Sequence, residues 1–324
     1  MTAAPLLELR EVTKDFVLES NLLRRLVMPR RVFRAVDRVS FTIGKEEVVG
    51  LVGESGSGKT SVAQLILRLI ATTTGEIRYR GEDITRQSGA DLRPFRQRAQ
   101  MVFQDSQSAL NPRKTIRRTL IETLKLRHGP APDLEDRAVA LLATVGLGRE
   151  ALGRYPHAMS GGQRQRVGIA RALAMDPEFI VADEPVSSLD ISLQAQIINL
   201  LKALRVDRGL TMLFISHDLA LVNHLCDRIA VMYAGRIVEI GSPKDVLRAS
   251  AHPYTQALIA AIPGGPRGRG RPAAAGNARM EPTRSGCAFA GRCPHAMDIC
   301  RTLAPELVPL GAAHAAACHL IAKA

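Results

Sequence analysis

The chain has 324 residues, of which 46% are hydrophobic, and its formal net charge is +13. This length exceeds one average domain, so we expect a main domain with a smaller addition. Tryptophan is absent and aromatic residues make up only 4% of the chain, which gives little support to a base-stacking platform for nucleic acid. The positive charge alone does not identify a partner, because nucleotides and acidic lipids satisfy it as well as nucleic acid does.

The sequence has no segment typical of membrane insertion or secretion. No apolar run approaches the roughly 18 to 20 residues that a membrane-spanning helix needs. Residues 1–5 lack the basic start and the apolar core of a signal peptide. We therefore expect a cytoplasmic chain. In that reducing compartment, the five cysteines argue against a disulfide framework.

The first predicted elements are short β-strands, interrupted by a basic insertion. Residues 7–12 and 36–43 alternate apolar and polar side chains, as half-exposed strands do. Residues 17–34 are rich in arginine, and we interpret this insertion as a solvated surface loop. The alternative is a basic contact with a membrane or a partner. Residues 75–81 predict another short strand, which would complete a small antiparallel layer.

A phosphate-binding motif lies between a predicted buried strand, residues 48–52, and a predicted helix. Its glycines let backbone N–H groups turn towards phosphate oxygens at the start of the helix. Lys59 would reach the β- and γ-phosphates, and Thr60 offers a hydroxyl to Mg²⁺. The complete candidate loop consists of Gly53, Glu54, Ser55, Gly56, Ser57, Gly58, Lys59 and Thr60, with Ser61 directly after it.

Polar residues follow three other predicted strands. They are Gln104 after residues 101–103, Asp183 and Glu184 after residues 179–182, and His217 after residues 211–215. Open α/β sheets bind their ligands at this end of the strands. Asp183 suits a magnesium ligand, and Glu184 suits a group that activates water. Gln104 and His217 would approach the γ-phosphate and its attacking water from different edges.

A second anion-binding motif follows a predicted helical segment, residues 106–153. It consists of Ser160, Gly161, Gly162 and Gln163. A serine and two glycines that open a helix form a ready-made anion site. One nucleotide cannot easily use two such sites of the same subunit. The sequence therefore predicts a composite site across a dimer interface.

Together these motifs resemble the ATP-binding subunit of an ABC transporter in order and spacing, over roughly residues 6–245. The resemblance implies an α/β fold of the P-loop NTPase type: an ABC ATPase with an antiparallel β subdomain, a helical signature subdomain and a small C-terminal extension that contains cysteines. It implies ATP and Mg²⁺ as cofactors, and ATP hydrolysis coupled to transport. The predicted division is an ATP-binding domain, residues 1–250, with its helical subdomain at about 105–170, and an extension, residues 251–324, with a linker at about 263–282.

The same resemblance assigns roles to individual residues. Glu184, Gln104 and His217 would be catalytic, and Thr60, Gln104 and Asp183 would lie at Mg²⁺. Phe16 would stack on adenine. The signature, Ser160 to Gln163, would contact the ATP of the partner subunit, and Asp190, after Ser188 and Leu189, would lie at the dimer interface.

A narrower resemblance, to the oligopeptide/dipeptide importer branch, covers nearly the whole chain. It rests on residues 101–105, 187–196 and 252–258, and Gln163 and Ser216 favour the second ATPase type of such systems. This branch implies a second ABC ATPase subunit in a heterodimer, two transmembrane permeases and an extracytoplasmic solute-binding protein. The chain would then lie peripherally on the cytoplasmic face of the membrane, with no nucleic-acid partner. Nickel and other small-solute importers share the branch, so the solute stays open.

Four of the five cysteines lie close to the C-terminus, at Cys287, Cys293, Cys300 and Cys318. Their spacing is unlike the paired cysteines of zinc ribbons, and four thiolates suit a 4Fe–4S cluster. The resemblance also includes an extension of this kind. Zinc and unligated buried thiols are the alternatives. His295, His314 and His319 could substitute as ligands, but we expect them at the surface, and Cys226 in the core.

Two rival functions remain to be weighed. A soluble ABC ATPase that acts on DNA would carry a long coiled coil between phosphate loop and signature, but Lys59 and Ser160 are only about a hundred residues apart. Translation-type relatives carry two nucleotide domains in one chain, and this chain has one. A non-catalytic regulatory subunit would have lost Glu184 or His217, and both are present.

Overall fold

The structure, a computed structural model, describes residues 4–18, 31–105, 109–262 and 285–321. These residues form two compact units. The first unit draws on Met1–Thr42, Val49–Arg86 and His217–Ala324, and the second on Ile43–Val48 and Gln87–Ser216. The linker predicted at residues 263–282 and the centre of the basic insertion, residues 19–30, lie outside the described residues. The predicted division at residue 250 stays a prediction.

Most secondary-structure elements alternate between strand and helix along the chain. The strands are β1 (Leu7–Leu18), β2 (Arg31–Ile43), β3 (Val48–Val52), β4 (Thr74–Tyr79), β5 (Glu82–Asp83), β6 (Ala99–Val102), β7 (Phe179–Asp183), β8 (Thr211–Ser216), β9 (Arg228–Tyr233), β10 (Arg236–Gly241), β11 (Val308–Pro309) and β12 (Ala315–Ala316). The α-helices are α1 (Lys59–Ile66), α2 (Arg93–Arg98), α3 (Ile116–His128), α4 (Leu134–Thr144), α5 (Gly161–Leu173), α6 (Ile191–Arg208), α7 (Leu219–Leu225), α8 (Pro243–Arg248), α9 (Pro253–Ala260) and α10 (Asp298–Thr302).

The first unit contains an antiparallel sheet in the order β2-β1-β4-β5. Leu7 pairs with Tyr79 and Leu9 with Ile77, and all four side chains are buried. The alternation that predicted these strands thus matches one buried face. β1 and β2 are longer than predicted, because each continues into the basic insertion on its own side.

The first unit also contains the strand that leads to the phosphate loop. β3 is buried along its whole length and pairs in parallel with β9, with Leu51 opposite Ala230. β9 pairs with β10, and β10 pairs with β12, in both cases antiparallel. β12 thus attaches the C-terminal residues to this sheet, at a register in which Glu239 faces Ala316.

The second unit is built around three parallel strands in the order β6-β7-β8. Val181 of β7 lies between Met101 of β6 and Leu213 of β8. β7 and β8 are buried along their whole length, as expected for strands covered on both faces. Their carboxyl ends present Asp183 and Ser216, so the sequence correctly predicts where the polar residues begin.

Candidate nucleotide site

The phosphate loop links β3 to α1 through backbone conformations that require glycine. Gly58 has φ 105° and ψ 4° and is the N-cap of α1. A Cβ atom added there would lie 2.3 Å from the carbonyl oxygen of Ala35. A Cβ atom on Gly53 would lie 2.1 Å from the carbonyl oxygen of Met232. The loop is therefore enclosed by backbone on two sides, and the glycines are what allow it to fit.

Lys59 lies inside this loop rather than in solvent. Its side chain is buried, and Nζ donates to the carbonyl oxygens of Gly53, at 2.8 Å, and Glu54, at 2.9 Å. The N–H groups of the first turn of α1 point out of its N-terminus, where the helix dipole favours an anion. Thr60 is exposed at this turn. A buried ammonium group, a helix start and an exposed hydroxyl together suit a phosphate with its magnesium ion.

Glu184 and Gln104 lie side by side in the second unit. The Gln104 Nε2 atom donates to Oε2 of Glu184 at 3.1 Å. Glu184 has a φ of 43°, and its backbone N–H donates to the carbonyl of Ile215 in β8 at 3.0 Å. The preceding residue, Asp183, is buried at the end of β7. The structure thus brings Gln104 next to Glu184, 80 positions further along the chain, as the predicted site requires.

The signature motif forms a capping box at the start of α5. The Ser160 Oγ atom accepts from the Gln163 N–H at 3.3 Å, and the Gln163 side chain accepts from the Ser160 N–H at 3.2 Å. Asp190 similarly caps α6, because its carboxylate accepts from the Leu193 N–H at 2.9 Å. The two helix starts are neighbours, since a Cβ on Gly162 would lie 3.1 Å from the Leu193 side chain. Ser160 and Asp190 are both exposed.

The two remaining candidate residues lie in the first unit. Phe16 is half-buried in β1, with the Lys14 ammonium group 5.1 Å from the centre of its ring. His217 is exposed and directly follows the last residue of β8. Asp218, next to it, caps α7 by accepting from the Ala220 N–H at 2.7 Å.

Sequence reasoning missed two residues that contact the phosphate loop. The Tyr254 hydroxyl oxygen accepts from the Glu54 N–H at 2.8 Å. The Arg292 guanidinium makes two hydrogen bonds to the Glu54 carboxylate, at 2.8 and 2.9 Å. Neither residue belongs to a local pattern that points to the loop, because they are separated from Glu54 by 200 and 238 positions.

The terminal cysteines lie in one small region of the first unit. The Cys287 N–H donates to the carbonyl of Cys300 at 2.8 Å. The pKa values of Cys287, Cys293 and Cys318 are raised, mainly because burial disfavours the thiolate, and charge on neighbouring cysteines raises them further. Nevertheless, the described residues contain no group of three or more His, Cys, Asp or Glu side chains arranged to hold a metal ion. The predicted iron–sulfur cluster therefore stays a prediction.

Two minor expectations about the same region have different outcomes. Cys226 is buried, as predicted. The prediction that His314 lies at the surface is wrong, because its side chain is only 12% exposed and Nε2 lies 2.8 Å from the fully buried carboxylate of Glu239. In the part of the chain that the structure describes, we find no helix of the length and apolarity needed to span a bilayer.

A phosphate loop that opens a helix, with an acidic pair that closes a buried strand, defines the class of P-loop nucleotide hydrolases. Within that class, the ABC transporter family model matches residues 36–187. A second model, described as the oligopeptide/dipeptide transporter C-terminal region, matches residues 238–300. One similar solved structure is a dimeric ATP-binding cassette in a post-hydrolysis state, bound to ADP and Pi. Its sequence is 28% identical to this chain, and the TM-score is 0.64. The match covers 73% of this chain and 98% of the solved chain. The predicted fold class is confirmed.

The similar curated proteins extend over nearly the whole chain. A Brucella ovis protein named as a peptide import ATP-binding protein is 46% identical over 322 residues, 98% of either chain. The oligopeptide transport ATP-binding protein AppF of Bacillus subtilis is 44% identical over 331 residues, 99% of either chain. OppF of Streptococcus mutans, of the same description, is 52% identical over 233 residues, 71% of this chain and 75% of its own. This chain belongs to the ABC transporter family and is one of its ATP-binding subunits.

Proposed function

We propose that this chain is the ATP-hydrolysing subunit that powers import of di- or oligopeptides through an ABC transporter. The observation that carries the proposal is the similarity to peptide import and oligopeptide transport ATP-binding proteins over 98 to 99% of the chain. Similarity of that extent includes the C-terminal region, where the oligopeptide/dipeptide transporter model matches residues 238–300. Import of nickel or another small solute is the alternative, because neither the fold nor the residues assigned to hydrolysis identify the transported solute.

In this proposal the phosphate loop holds the nucleotide. Backbone N–H groups of residues 53–61 and the ammonium group of Lys59 bind the phosphates, and Thr60, Gln104 and Asp183 hold Mg²⁺, directly or through water. Phe16 stacks on the adenine ring. The burial of Lys59 and its bonds to two loop carbonyls support this role, because the ammonium group is already directed into the loop.

Hydrolysis itself is assigned to Glu184, with Gln104 and His217 as γ-phosphate sensors. The carboxylate of Glu184 accepts a proton from the attacking water, and the amide of Gln104 orients that carboxylate. The 3.1 Å hydrogen bond between the two side chains supports the pairing. Magnesium, when bound, neutralises charge on the phosphates.

The signature and Asp190 act on a second ATPase subunit. We propose a head-to-tail heterodimer in which Ser160 to Gln163 cover the ATP of the partner subunit, and in which Asp190 lies at the interface. The exposure of both helix starts supports this role. Two membrane permeases and an extracytoplasmic binding protein complete the transporter, so the chain would be a peripheral protein on the cytoplasmic face of the membrane.

The test is a transport assay in the native host. A strain that lacks this chain should lose uptake of a labelled tripeptide, and the wild-type gene should restore it, whereas Glu184→Gln should not. Affinity purification from membranes should recover a second ATPase and two permeases. Loss of nickel uptake with normal peptide uptake would show that the transported solute is nickel and not a peptide. Recovery of ribosomes or DNA instead of permeases would overturn the transport role.

We also propose, on the spacing of Cys287, Cys293, Cys300 and Cys318 and on the hydrogen bond from the Cys287 N–H to the Cys300 carbonyl, that these thiols hold a 4Fe–4S cluster. Zinc or unligated thiols are the alternatives. Protein purified without oxygen should absorb near about 400 nm and contain about four irons per chain. Colourless protein without iron would exclude the cluster, and bound zinc would replace it.

A further inference from the structure

The phosphate loop is held from outside by the C-terminal part of the chain. Nη1 and Nη2 of Arg292 lie 2.8 and 2.9 Å from the two carboxylate oxygens of Glu54. This is the two-bond geometry in which guanidinium and carboxylate groups bind most strongly and most directionally. Glu54 is the second residue of the loop, between Gly53 and the residues that turn towards the phosphates. Arg292 directly precedes Cys293.

Aromatic side chains hold the guanidinium group in place. Arg292 lies over the rings of Tyr233 and Phe289, at 5.8 and 5.7 Å from their centres. Those two rings meet edge to face at 5.3 Å, and Tyr254 packs on both, at 4.5 and 5.5 Å. Phe289 and Tyr254 are buried. A guanidinium group fixed in this way loses little conformational freedom when it pairs with Glu54.

Tyr254 adds a hydrogen bond to the backbone of the same loop residue. Its hydroxyl oxygen accepts from the Glu54 N–H at 2.8 Å, while its ring is almost fully buried. Burial raises the pKa of the Tyr254 hydroxyl well above its ordinary value, so the group stays neutral at physiological pH. The side chain and the peptide group of Glu54 are thus both held by residues that follow position 250.

This contact also changes the charge that a nucleotide meets. An uncompensated carboxylate at the second position of a phosphate loop would repel the phosphates of ATP. Arg292 neutralises it, and the pairing raises the pKa of Arg292 still further, so the guanidinium stays charged throughout the physiological range. The same contact fixes the direction of the Glu54 peptide group, from which the rest of the loop continues.

We propose that Arg292 and Tyr254 are positioning residues for ATP binding: they hold the phosphate loop in its binding conformation and neutralise Glu54, so nucleotide affinity depends on the C-terminal region. This inference rests on the proposed ATP-binding function. It adds to that function a direct link between the region that carries the cysteines and the nucleotide.

The test is an equilibrium titration of the full-length chain with a fluorescent ADP analogue and Mg²⁺. Arg292→Gln should raise the Kd about three- to tenfold, the effect of losing a partly exposed two-bond pair beside an anion. Tyr254→Phe removes a single oxygen atom and should raise the Kd about two- to fivefold. Arg301→Gln is the matched control, because Arg301 is an exposed arginine of the same region, and it should leave the Kd unchanged.

The double variant Glu54→Gln/Arg292→Gln distinguishes neutralisation of Glu54 from a general loss of stability. Removing the carboxylate removes the repulsion, so the double variant should bind nucleotide more tightly than Arg292→Gln alone, whatever its melting temperature. Wild-type Kd values in both Arg292→Gln and Tyr254→Phe would overturn the inference, as would a double variant no better than the single one. If Arg292→Gln fails to fold, Tyr254→Phe decides. Absence of nucleotide binding by the wild-type chain would instead refute the proposed function, and this inference with it.

Discussion

At the scale of single residues, Glu184 occupies a backbone conformation that a non-glycine residue adopts at a cost. Its φ of 43° lies in the left-handed region, which costs about 1 kcal/mol for most side chains. The N–H bond to Ile215 and the Ser187 hydroxyl, which donates to the Glu184 carbonyl at 3.1 Å, hold this conformation. In this conformation the carboxylate accepts the hydrogen bond from Gln104, which is consistent with a catalytic role.

Replacement of Glu184 by glutamine should therefore separate binding from hydrolysis. Glu184→Gln keeps the shape and the hydrogen bond to Gln104 but cannot accept a proton, so we expect ATP turnover to fall by about 10²- to 10⁴-fold with unchanged nucleotide affinity. Phosphate release and equilibrium titration measure the two effects. Glu178→Gln, at the amino end of the same strand, is the control and should keep full turnover. Normal turnover in Glu184→Gln would remove Glu184 from catalysis.

A comparison of Gly58 with Gly81 separates backbone strain from steric conflict, because both have a positive φ but only Gly58 is closely surrounded by other atoms. Alanine at Gly58 would adopt an unfavourable φ and also place Cβ 2.3 Å from the Ala35 carbonyl, whereas alanine at Gly81, with φ 81°, would meet no atom within 4 Å. Gly81→Ala should cost only about 1–2 kcal/mol of stability. Gly58→Ala should lower nucleotide affinity more than tenfold, about 1.4 kcal/mol or more. Equal affinities in the two variants would show that the loop tolerates displacement.

His252 gives a pH dependence of stability. Burial lowers its pKa from 6.5 to about 4, and the ring accepts through Nδ1 from the Tyr254 N–H at 3.0 Å. The unfolded chain therefore binds a proton more readily than the folded one, so stability is lost as the pH falls from about 6.5 to about 4. Because asparagine also caps helices, His252→Asn should keep the cap and lose this dependence.

The measurement for His252 is the free energy of unfolding in urea at pH 7 and pH 4.5. The wild-type chain should lose about 2–3 kcal/mol more than His252→Asn over that range, the amount that the shift in pKa stores. The nearby titratable groups Glu239, His314 and Tyr254 are present in both the wild-type chain and His252→Asn. If both proteins lose the same unfolding free energy, the pH dependence comes from those groups and not from His252.

At the scale of elements, the signature motif does two tasks with one set of atoms. Ser160 caps α5, so its loss removes a hydrogen bond to the helix as well as a candidate ligand for the nucleotide of the partner. Ser160→Ala should destabilise the chain by about 1 kcal/mol, and Ser160→Asn, which restores a cap, should recover most of that loss. Urea unfolding measures the effect. ATP turnover in the assembled transporter should be low in both variants, because neither keeps the serine hydroxyl. Full turnover in Ser160→Asn would show that Ser160 acts only as a helix cap.

The elements that sequence patterns predict well are those with a local cause. β7 and β8 follow from continuous apolar runs, and α6 follows from the Asp190 cap and ends at Gly209 in the left-handed conformation. The short elements of the C-terminal region, α10, β11 and β12, escape such patterns, because each is too short to show a periodicity. β12, for example, consists of two alanines, which pair with β10 on one side and with β11 on the other.

At the scale of the whole molecule, sequence motifs predict the candidate site residues but not the residues of the C-terminal region that contact the phosphate loop. Lys59, Glu184 and Ser160 each belong to a motif whose residue types and spacing indicate a chemical role. Arg292 and His314 carry no such signal: each is one basic residue among many, and its meaning comes from a single acidic partner, Glu54 or Glu239, more than seventy positions away. Their role depends on how the C-terminal region packs within the first unit, which a single sequence does not state.

The composite arrangement makes a prediction that only the assembled transporter can test. If the phosphate loop binds one ATP and the signature covers the other, Lys59→Ala and Ser160→Arg disable different sites, although both changes lie in the same chain. Each variant complex should then trap about one nucleotide with vanadate, and the double variant should trap almost none. Titration of trapped radiolabelled nucleotide per complex measures this.

The pattern of additivity decides between the two geometries. A wild-type complex with two composite sites should trap about twice the nucleotide of either single variant, because the losses at independent sites add. If both motifs served one site within this subunit, Ser160→Arg added to Lys59→Ala would cause no further loss. That outcome would refute the head-to-tail arrangement while leaving the hydrolytic roles of Glu184 and Gln104 intact, since those two residues contact each other within one unit.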